Sequence, residues 1–136
     1  MRTATDISLK CRKIQRNLVL AFYLQLRNYN PLYFLAVVKG VSMVPSLAPG
    51  DKVLVRRIHT PSKRIVGRIV VAKDPRVGGV PVIKRLVGFD RNSFEVLGDN
   101  SGASTDSRTL GRFPNHSLMG VVVYRYFPLS AAGRVR

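Results

Sequence analysis

From Leu35 onward glycine, proline and aspartate divide the chain into short β-type runs. This spacing of turn residues is the strongest constraint on its fold. Each run is rich in β-branched and other apolar residues and is bounded by turn residues. The predicted strands are Leu35–Val38, Lys52–Arg57, Arg68–Lys73, Val80–Val87, Ser93–Leu97 and Gly120–Phe127. Strands of this length and spacing predict a mainly β fold, built as a small and mostly antiparallel sheet or barrel.

The N-terminal residues follow a helical pattern instead. Asp6 is a candidate N-cap, apolar residues from Ile14 onward recur at helical spacing, and Asn30-Pro31 would end the helix. An amphipathic helix is therefore predicted over residues 6–28. Its apolar stretch, residues 17–26, is ten residues long, whereas a membrane-spanning helix needs about 20. The stretch is therefore not predicted to cross a membrane.

Basic residues precede this apolar stretch, which leaves three interpretations open. The helix could lie flat on an anionic membrane, act as a mitochondrial-type presequence, or pack on the domain. Two locations of the protein fit the sequence. One is the cytoplasm and the other is the periphery of a membrane, which in a eukaryote includes the mitochondrial inner membrane. The predicted divisions are an N-terminal basic and amphipathic segment (1–34), a β domain (35–129) and a flexible tail (130–136).

Composition narrows the class of protein. With 136 residues, 46% of them hydrophobic, the chain is long enough for one globular domain with a real core. Its 23 Lys and Arg against 7 Asp and Glu give a net charge of +16. This charge indicates nucleic acid, an anionic membrane surface or an acidic partner, or else only a basic arm and scattered surface arginines. The single cysteine, Cys11, excludes an intrachain disulfide and a cysteine-rich metal site.

Three polar boxes interrupt the β pattern. The first is Gly40-Val-Ser42-Met43-Val-Pro45-Ser46-Leu47, followed by Gly50-Asp51, and the second is Ile83-Lys84-Arg85-Leu86-Val87-Gly88. The third is Gly98-Asp99-Asn100, continuing through Ser104 and Asp106-Ser107-Arg108 to Gly111. Each alone is typical of an ordinary turn or of a lysine that extends to solvent. Their occurrence together in one chain is what indicates a catalytic site.

A serine hydroxyl becomes a useful nucleophile only with a base within hydrogen-bond reach. Lys84 lies among apolar residues, and burial favours the neutral amine by lowering the pKa from about 10.4 towards neutrality. A drop of about three units costs roughly 4 kcal/mol, so other groups must hold the neutral amine, and the hydroxyl of Ser104 could do so. His59 and His116 are the other candidate bases.

These boxes resemble those of the signal peptidase I family, serine endopeptidases with a Ser/Lys dyad on an all-β catalytic domain. The resemblance covers Val38 to Pro128 and identifies residues 35–129 as the catalytic domain. It implies that Ser42 is the nucleophile, that Lys84 is the general base and that Ser104 bonds the lysine amine. It also implies buried ion pairs that brace the site, namely Asp99 with Arg85 and Asp106 with Arg108. The walls of a pocket for a small substrate side chain would be Met43, Leu47 and Ile83.

The chain departs from this family in two places. Gly40 stands where some members carry a serine that donates to the oxyanion, so backbone N–H groups, chiefly that of Ser42, would have to serve. Only thirteen residues separate Lys84 from Gly98, whereas larger members insert a subdomain there. The compact form is most similar to small proteases that mature nickel-containing superoxide dismutase. The implied partner is a protein or peptide with a cleavable N-terminal extension, and no cofactor or metal is implied.

Other readings remain. Self-cleaving regulators of the LexA type share the dyad, but they cut an Ala-Gly or Cys-Gly bond upstream of their serine, and no such bond precedes Ser42. A basic nucleic-acid-binding β-barrel would fit the charge. Such barrels expose aromatic residues for base stacking, whereas aromatics are only 8% of this chain. A catalytically silent family member that acts as a binding partner is the third alternative.

Overall fold

A computed structural model of the protein describes residues 32–105 and 107–136. In this part of the chain eight strands form one antiparallel sheet, which confirms the predicted mainly β fold. The predicted N-terminal helix lies outside the described residues. The strands are β1 (Tyr33–Val37), β2 (Lys52–Arg57), β3 (Ile69–Asp74), β4 (Val80–Phe89), β5 (Ser93–Leu97), β6 (Phe113–Pro114), β7 (Leu118–Phe127) and β8 (Gly133–Arg134). A helical turn, α1 (Ser107–Leu110), precedes β6.

The order of strands across the sheet is β1-β2-β7-β3-β4-β5-β6, and β8 pairs with β7. Strand β7 therefore lies between β2 and β3, and its residues alternate between the two faces of the sheet. Gly120 is required at this crossing because a Cβ there would lie 2.5 Å from the carbonyl oxygen of Arg56. The part of the chain between β3 and β7 contains β4, β5 and the third polar box.

The core consists of two clusters of buried side chains. One contains residues from the turn after β1, from alternate positions of the central strands and from the C-terminus: Val38, Met43, Leu47, Val53, Val55, Ile69, Val71, Val122 and Val135. The other lies around the aromatic pair Phe94 and Phe113, whose ring centroids are 5.8 Å apart: Ile65, Val70, Ala72, Leu86, Phe94, Val96, Phe113, Leu118 and Val121. Alternating residues of β3 and β7 thus supply both clusters.

The C-terminal residues are bound to the sheet, whereas we predicted a flexible tail over residues 130–136. Strand β8 pairs with β7, and Val135 is buried in the first cluster. The guanidinium of Arg68 donates to the carbonyl of Val135 at 3.0 Å. These contacts contradict the predicted flexible tail. The sequence did not reveal them, because a single buried valine and a two-residue strand produce no periodic pattern.

Candidate functional site

Ser42 lies in the turn between β1 and β2, which we call the Ser42 turn and define as residues 40–47. Gly40 begins it with a φ of +76°, a left-handed conformation that glycine adopts readily. Met43 and Leu47 are buried in the first core cluster, and the Leu47 N–H donates to the Met43 carbonyl at 2.9 Å. The turn is therefore anchored by two apolar side chains, and Ser42 stays half-buried at the surface.

Lys84 lies in β4 and is 6% exposed. It pairs with Val70 of β3, and its Nζ donates to Ser104 Oγ at 3.1 Å. Burial penalises the ammonium form of a lysine because the charge loses its hydration. The hydroxyl of Ser104 holds the amine in place without adding a negative charge beside it.

The segment Gly98-Asp99-Asn100 follows β5 and joins these two parts of the site. Leu97 pairs with Arg85, so Gly98 comes next to Lys84 as the strands run on. A Cβ on Gly98 would lie 2.1 Å from Ser104 Oγ and 2.8 Å from the Ser42 carbonyl oxygen, so only glycine fits. The Asn100 N–H donates to the Ser42 carbonyl at 2.9 Å, and the Asn100 side-chain amide donates to the Val41 carbonyl at 3.2 Å.

Arg85 and Asp99 form a bidentate ion pair beside this segment. The Nε and Nη2 atoms of Arg85 donate to the two carboxylate oxygens of Asp99 at 2.7 and 2.6 Å. Hydrogen bonds from Arg85 hold the pKa of Asp99 below its usual value, against the opposing effect of burial, and the Ser46 hydroxyl lowers it further. The pair is half-buried, with side chains 25% and 16% exposed, so solvent weakens its contribution to stability.

The lowered pKa of Asp99 predicts how stability depends on pH. A carboxylate with a depressed pKa in the folded state contributes stability above its unfolded pKa of about 3.9, and this contribution is lost as the pH falls through the folded pKa. In Asp99→Asn we therefore expect a lower unfolding temperature than in the wild type at neutral pH, and a difference that shrinks below about pH 4. Thermal unfolding followed by circular dichroism at several pH values measures this. A difference that stays constant down to pH 2 would contradict it.

Ser42 and Lys84 line the same two cavities. The larger, of about 500 Å³, also contacts Asp74, Arg76, Val77 and Ala103. The smaller, of about 220 Å³, lies towards the end of β1 and is also lined by Met43 and Ile83. Two of the three predicted pocket residues thus border the smaller cavity. Leu47 borders neither cavity and is fully buried in the core.

The second predicted ion pair is only partly described. Asp106 lies outside the described residues, so its pairing with Arg108 stays a prediction. Arg108 is exposed, not buried as we predicted, and one of its Nη atoms lies 3.4 Å from the Gly98 carbonyl oxygen. Both candidate histidine bases, His59 and His116, are exposed and line neither cavity.

Two groups in the site were not predicted from the sequence. The hydroxyl of Ser46 donates to Asp99 and accepts from Arg85, across a sequence separation that no local pattern reveals. At the wall of the larger cavity the guanidinium of Arg76 bonds the carboxylate of Asp74 at 2.9 Å and lies over the ring of Phe113. Only the ion pair could have been found from the sequence, because Asp74 and Arg76 are two residues apart.

Every carboxylate among the described residues is engaged by an arginine. The pairs are Asp51 with Arg125, Asp74 with Arg76, Asp99 with Arg85, and both Asp90 and Glu95 with Arg112. In the same part of the chain no group of three or more His, Cys, Asp or Glu residues could hold a metal ion. None of the described helices is long and apolar enough to span a membrane.

Comparison with known proteins gives the family. The chain is 29% identical to subunit 1b of the mitochondrial ATP-independent inner membrane protease of Arabidopsis thaliana, over 76% of each chain. It is also 29% identical to subunit 1a of that protease, over 87% of this chain and 86% of the relative. Residues 5–123 match the family model described as Peptidase S24-like. The prediction of a Ser/Lys peptidase is confirmed at the level of the family, and the chain belongs to the Peptidase S24-like family.

Proposed function

We propose that the protein is a serine endopeptidase in which Ser42 is the nucleophile and Lys84 the general base, and that it removes an N-terminal extension from a protein substrate. The observation that carries this proposal is the position of Lys84. Lys84 is buried, its amine is held by the Ser104 hydroxyl, and the residue lines the same two cavities as Ser42. A buried amine next to an accessible serine is the arrangement that a lysine base requires.

The reaction follows from these two groups. Neutral Lys84 accepts the Ser42 proton as Oγ attacks the scissile carbonyl, and the backbone N–H of Ser42 stabilises the oxyanion. The ammonium then gives that proton to the leaving amine, which departs and leaves an acyl-enzyme on Ser42. Water attacks the ester with Lys84 again as base, and the proton returns to Ser42 as the acid product leaves.

The sheet offers a place for an extended substrate. Residues 80–84 of β4 pair with β3 on one side, while β5 pairs with β4 only from Arg85 onward. Within the described residues no strand of the sheet pairs with the other edge of residues 80–83, which lead up to Lys84. A substrate strand added to this edge would be held by backbone hydrogen bonds, with alternate side chains in the cavities. The smaller cavity would accept Ala, Gly or Ser beside the scissile bond.

For the substrate we propose a protein that carries a short propeptide, such as the precursor of nickel-containing superoxide dismutase. The resemblance to small maturation proteases supports this choice, and in that case the nickel belongs to the substrate. The relatives are named as inner membrane proteases. Their names support the proposal that this protein cleaves its substrates near an anionic membrane surface. The net charge of +16 would attract an acidic substrate or such a surface.

The test of this proposal is cleavage of a propeptide-bearing substrate whose residue before the cut is varied. We expect cleavage with Ala, Gly or Ser at that position and at least about tenfold less with Leu or Phe, because bulky groups overfill the cavity. Raising the salt concentration should lower kcat/KM more than kcat, because screening slows the encounter of opposite charges. Mass spectrometry of the products gives both rates and cleavage site.

A labelling experiment separates this proposal from its alternatives. A serine-reactive phosphonate should label Ser42 in the wild type and leave Ser42→Ala unlabelled. If the chain cuts only itself, at a rate independent of its concentration, it is a self-processing regulator. If it cuts nothing and binds RNA or DNA with a strong salt dependence, the endopeptidase proposal is wrong.

Ser104→Ala provides a separate check on the base. We expect kcat to fall about 10- to 100-fold with little change in KM, because the amine loses the group that orients it while substrate contacts remain. The free energy of unfolding should change less, by about 1 kcal/mol, the usual value of one hydrogen bond. A variant that loses stability and keeps its turnover would contradict the orienting role.

A further inference from the structure

The guanidinium of Arg85 has all five of its N–H donors engaged. Two reach the carboxylate of Asp99, as described above. The other three reach the Ser46 hydroxyl at 3.2 Å, the Gly67 carbonyl at 2.7 Å and a main-chain oxygen of Arg136 at 3.2 Å. An arginine has five such donors in one plane. With every donor used, the guanidinium has one orientation, and the β4 backbone beside Lys84 is held with it.

Ser46 completes this network from the Ser42 turn. Its hydroxyl donates to Asp99 and accepts from Arg85, so three side chains from distant parts of the sequence form a closed triangle. Ser46 lies four residues after Ser42, between two side chains that anchor the turn in the core, Met43 and Leu47. The triangle therefore ties the turn to the ion pair.

Each corner of the triangle is next to a group of the proposed reaction. Arg85 follows Lys84 in β4. Asp99 lies between Gly98, which packs against Ser104 and the Ser42 carbonyl, and Asn100, whose N–H bonds that carbonyl. Burial of Met43 and Leu47 sets the depth of the turn, but apolar contacts are not directional. A hydrogen-bonded serine fixes the position of the turn along the other two segments.

We propose that Ser46 is a positioning residue, whose hydroxyl fixes the Ser42 turn against the Arg85–Asp99 pair and so sets the placement of Ser42 relative to Lys84. This inference rests on the proposed function, because it assigns Ser46 to the geometry of that dyad. Ser46 lines neither cavity, so it acts through the turn and not by contact with substrate.

The test compares Ser46→Ala, Ser46→Thr and a matched control, Ser117→Ala. We expect kcat of Ser46→Ala to fall by about tenfold or more at unchanged KM, because a misplacement of about 1 Å can cost about 100-fold in rate. Ser46→Thr keeps the hydroxyl and should recover most of the activity. Ser117 is buried and donates to the Pro114 carbonyl at 2.7 Å, away from the site. Its loss should lower the unfolding temperature and leave kcat unchanged.

A second readout does not depend on turnover. Removing the Ser46 hydroxyl takes away one of the bonds that lower the pKa of Asp99, so acid unfolding of Ser46→Ala should begin at higher pH. In NMR spectra the amide of Asn100 and the ¹³Cε of Lys84 should shift in Ser46→Ala and stay in place in Ser117→Ala.

These outcomes separate the two proposals. If the wild type and Ser42→Ala are equally active, the proposed function fails, while the NMR shifts still test the positioning role. If Ser46→Ala changes neither kcat nor the NMR signals of Lys84, the positioning role is wrong even when Ser42 proves to be the nucleophile. If Ser46→Ala loses stability as Ser117→Ala does and retains kcat, Ser46 is only structural.

Discussion

Ser42→Ala and Lys84→Met should each lower kcat by about 10⁴-fold or more, since members of a catalytic unit fail together. Alanine at position 42 removes the oxygen of the proposed nucleophile and leaves the turn anchored by Met43 and Leu47. Methionine at position 84 keeps a long unbranched side chain and removes the proposed base, so the packing around it should survive. Initial rates on the propeptide substrate, with circular dichroism to verify folding, measure the effect.

The matched control is the double variant His59→Ala/His116→Ala. Both side chains are exposed and line neither cavity, so its kcat should equal that of the wild type. Activity of both proteins should rise with pH over a range below the pKa of free lysine, about 10.4, because only the neutral amine accepts the serine proton. Disappearance of that rise in the histidine variant would mean that the base has been misassigned.

Gly98→Ala should damage both stability and catalysis. The added Cβ would lie 2.1 Å from Ser104 Oγ, 2.4 Å from Ser104 Cβ and 2.8 Å from the Ser42 carbonyl oxygen. Rotation of the Ser104 hydroxyl relieves the first clash only, so the backbone of the loop or of the Ser42 turn has to move. We expect a loss of about 1–3 kcal/mol in the free energy of unfolding, typical of overpacking, and a fall in kcat larger than in Ser104→Ala.

Gly88→Ala in β4 is the matched control for this substitution. Its φ is not in the left-handed region and a Cβ there meets no atom within 4 Å. The control should therefore unfold at the same urea concentration as the wild type or slightly higher, and keep its kcat. Equal behaviour of the two alanine variants would show that Gly98 is not required for close approach.

Local patterns in the sequence predicted the middle of the sheet well. The bounds of β2 and β5 agree with the predicted strands, because Gly, Pro or Asp stands close to both ends of each. Strands β6 and β8 were missed, since two-residue strands have no periodicity and owe their conformation to β5 and β7. The start of β1 at Tyr33, two residues early, reflects pairing with Arg56 that the sequence does not display.

The candidate site was predicted where chemistry and spacing coincide. Burial of Lys84 could be expected from its apolar neighbours in β4, and the structure has the predicted contact with Ser104 and the Arg85–Asp99 pair. The contact of Ser46 with Asp99 could not be expected, because the two residues are 53 positions apart. Leu47 was placed in the pocket on its position in the first box, whereas its apolar side chain gains more from full burial.

The sharing of β3 and β7 between the two core clusters has a consequence for how heat would inactivate the enzyme. Neighbouring residues such as Val121 and Val122 belong to different clusters, so neither cluster can come apart while the other stays packed. Ser42 depends on the first cluster through its turn, and the strand that carries Lys84 depends on the second through Leu86. Both groups of the proposed dyad thus depend on clusters that share strands, so we expect activity and the folded structure to be lost in the same thermal transition.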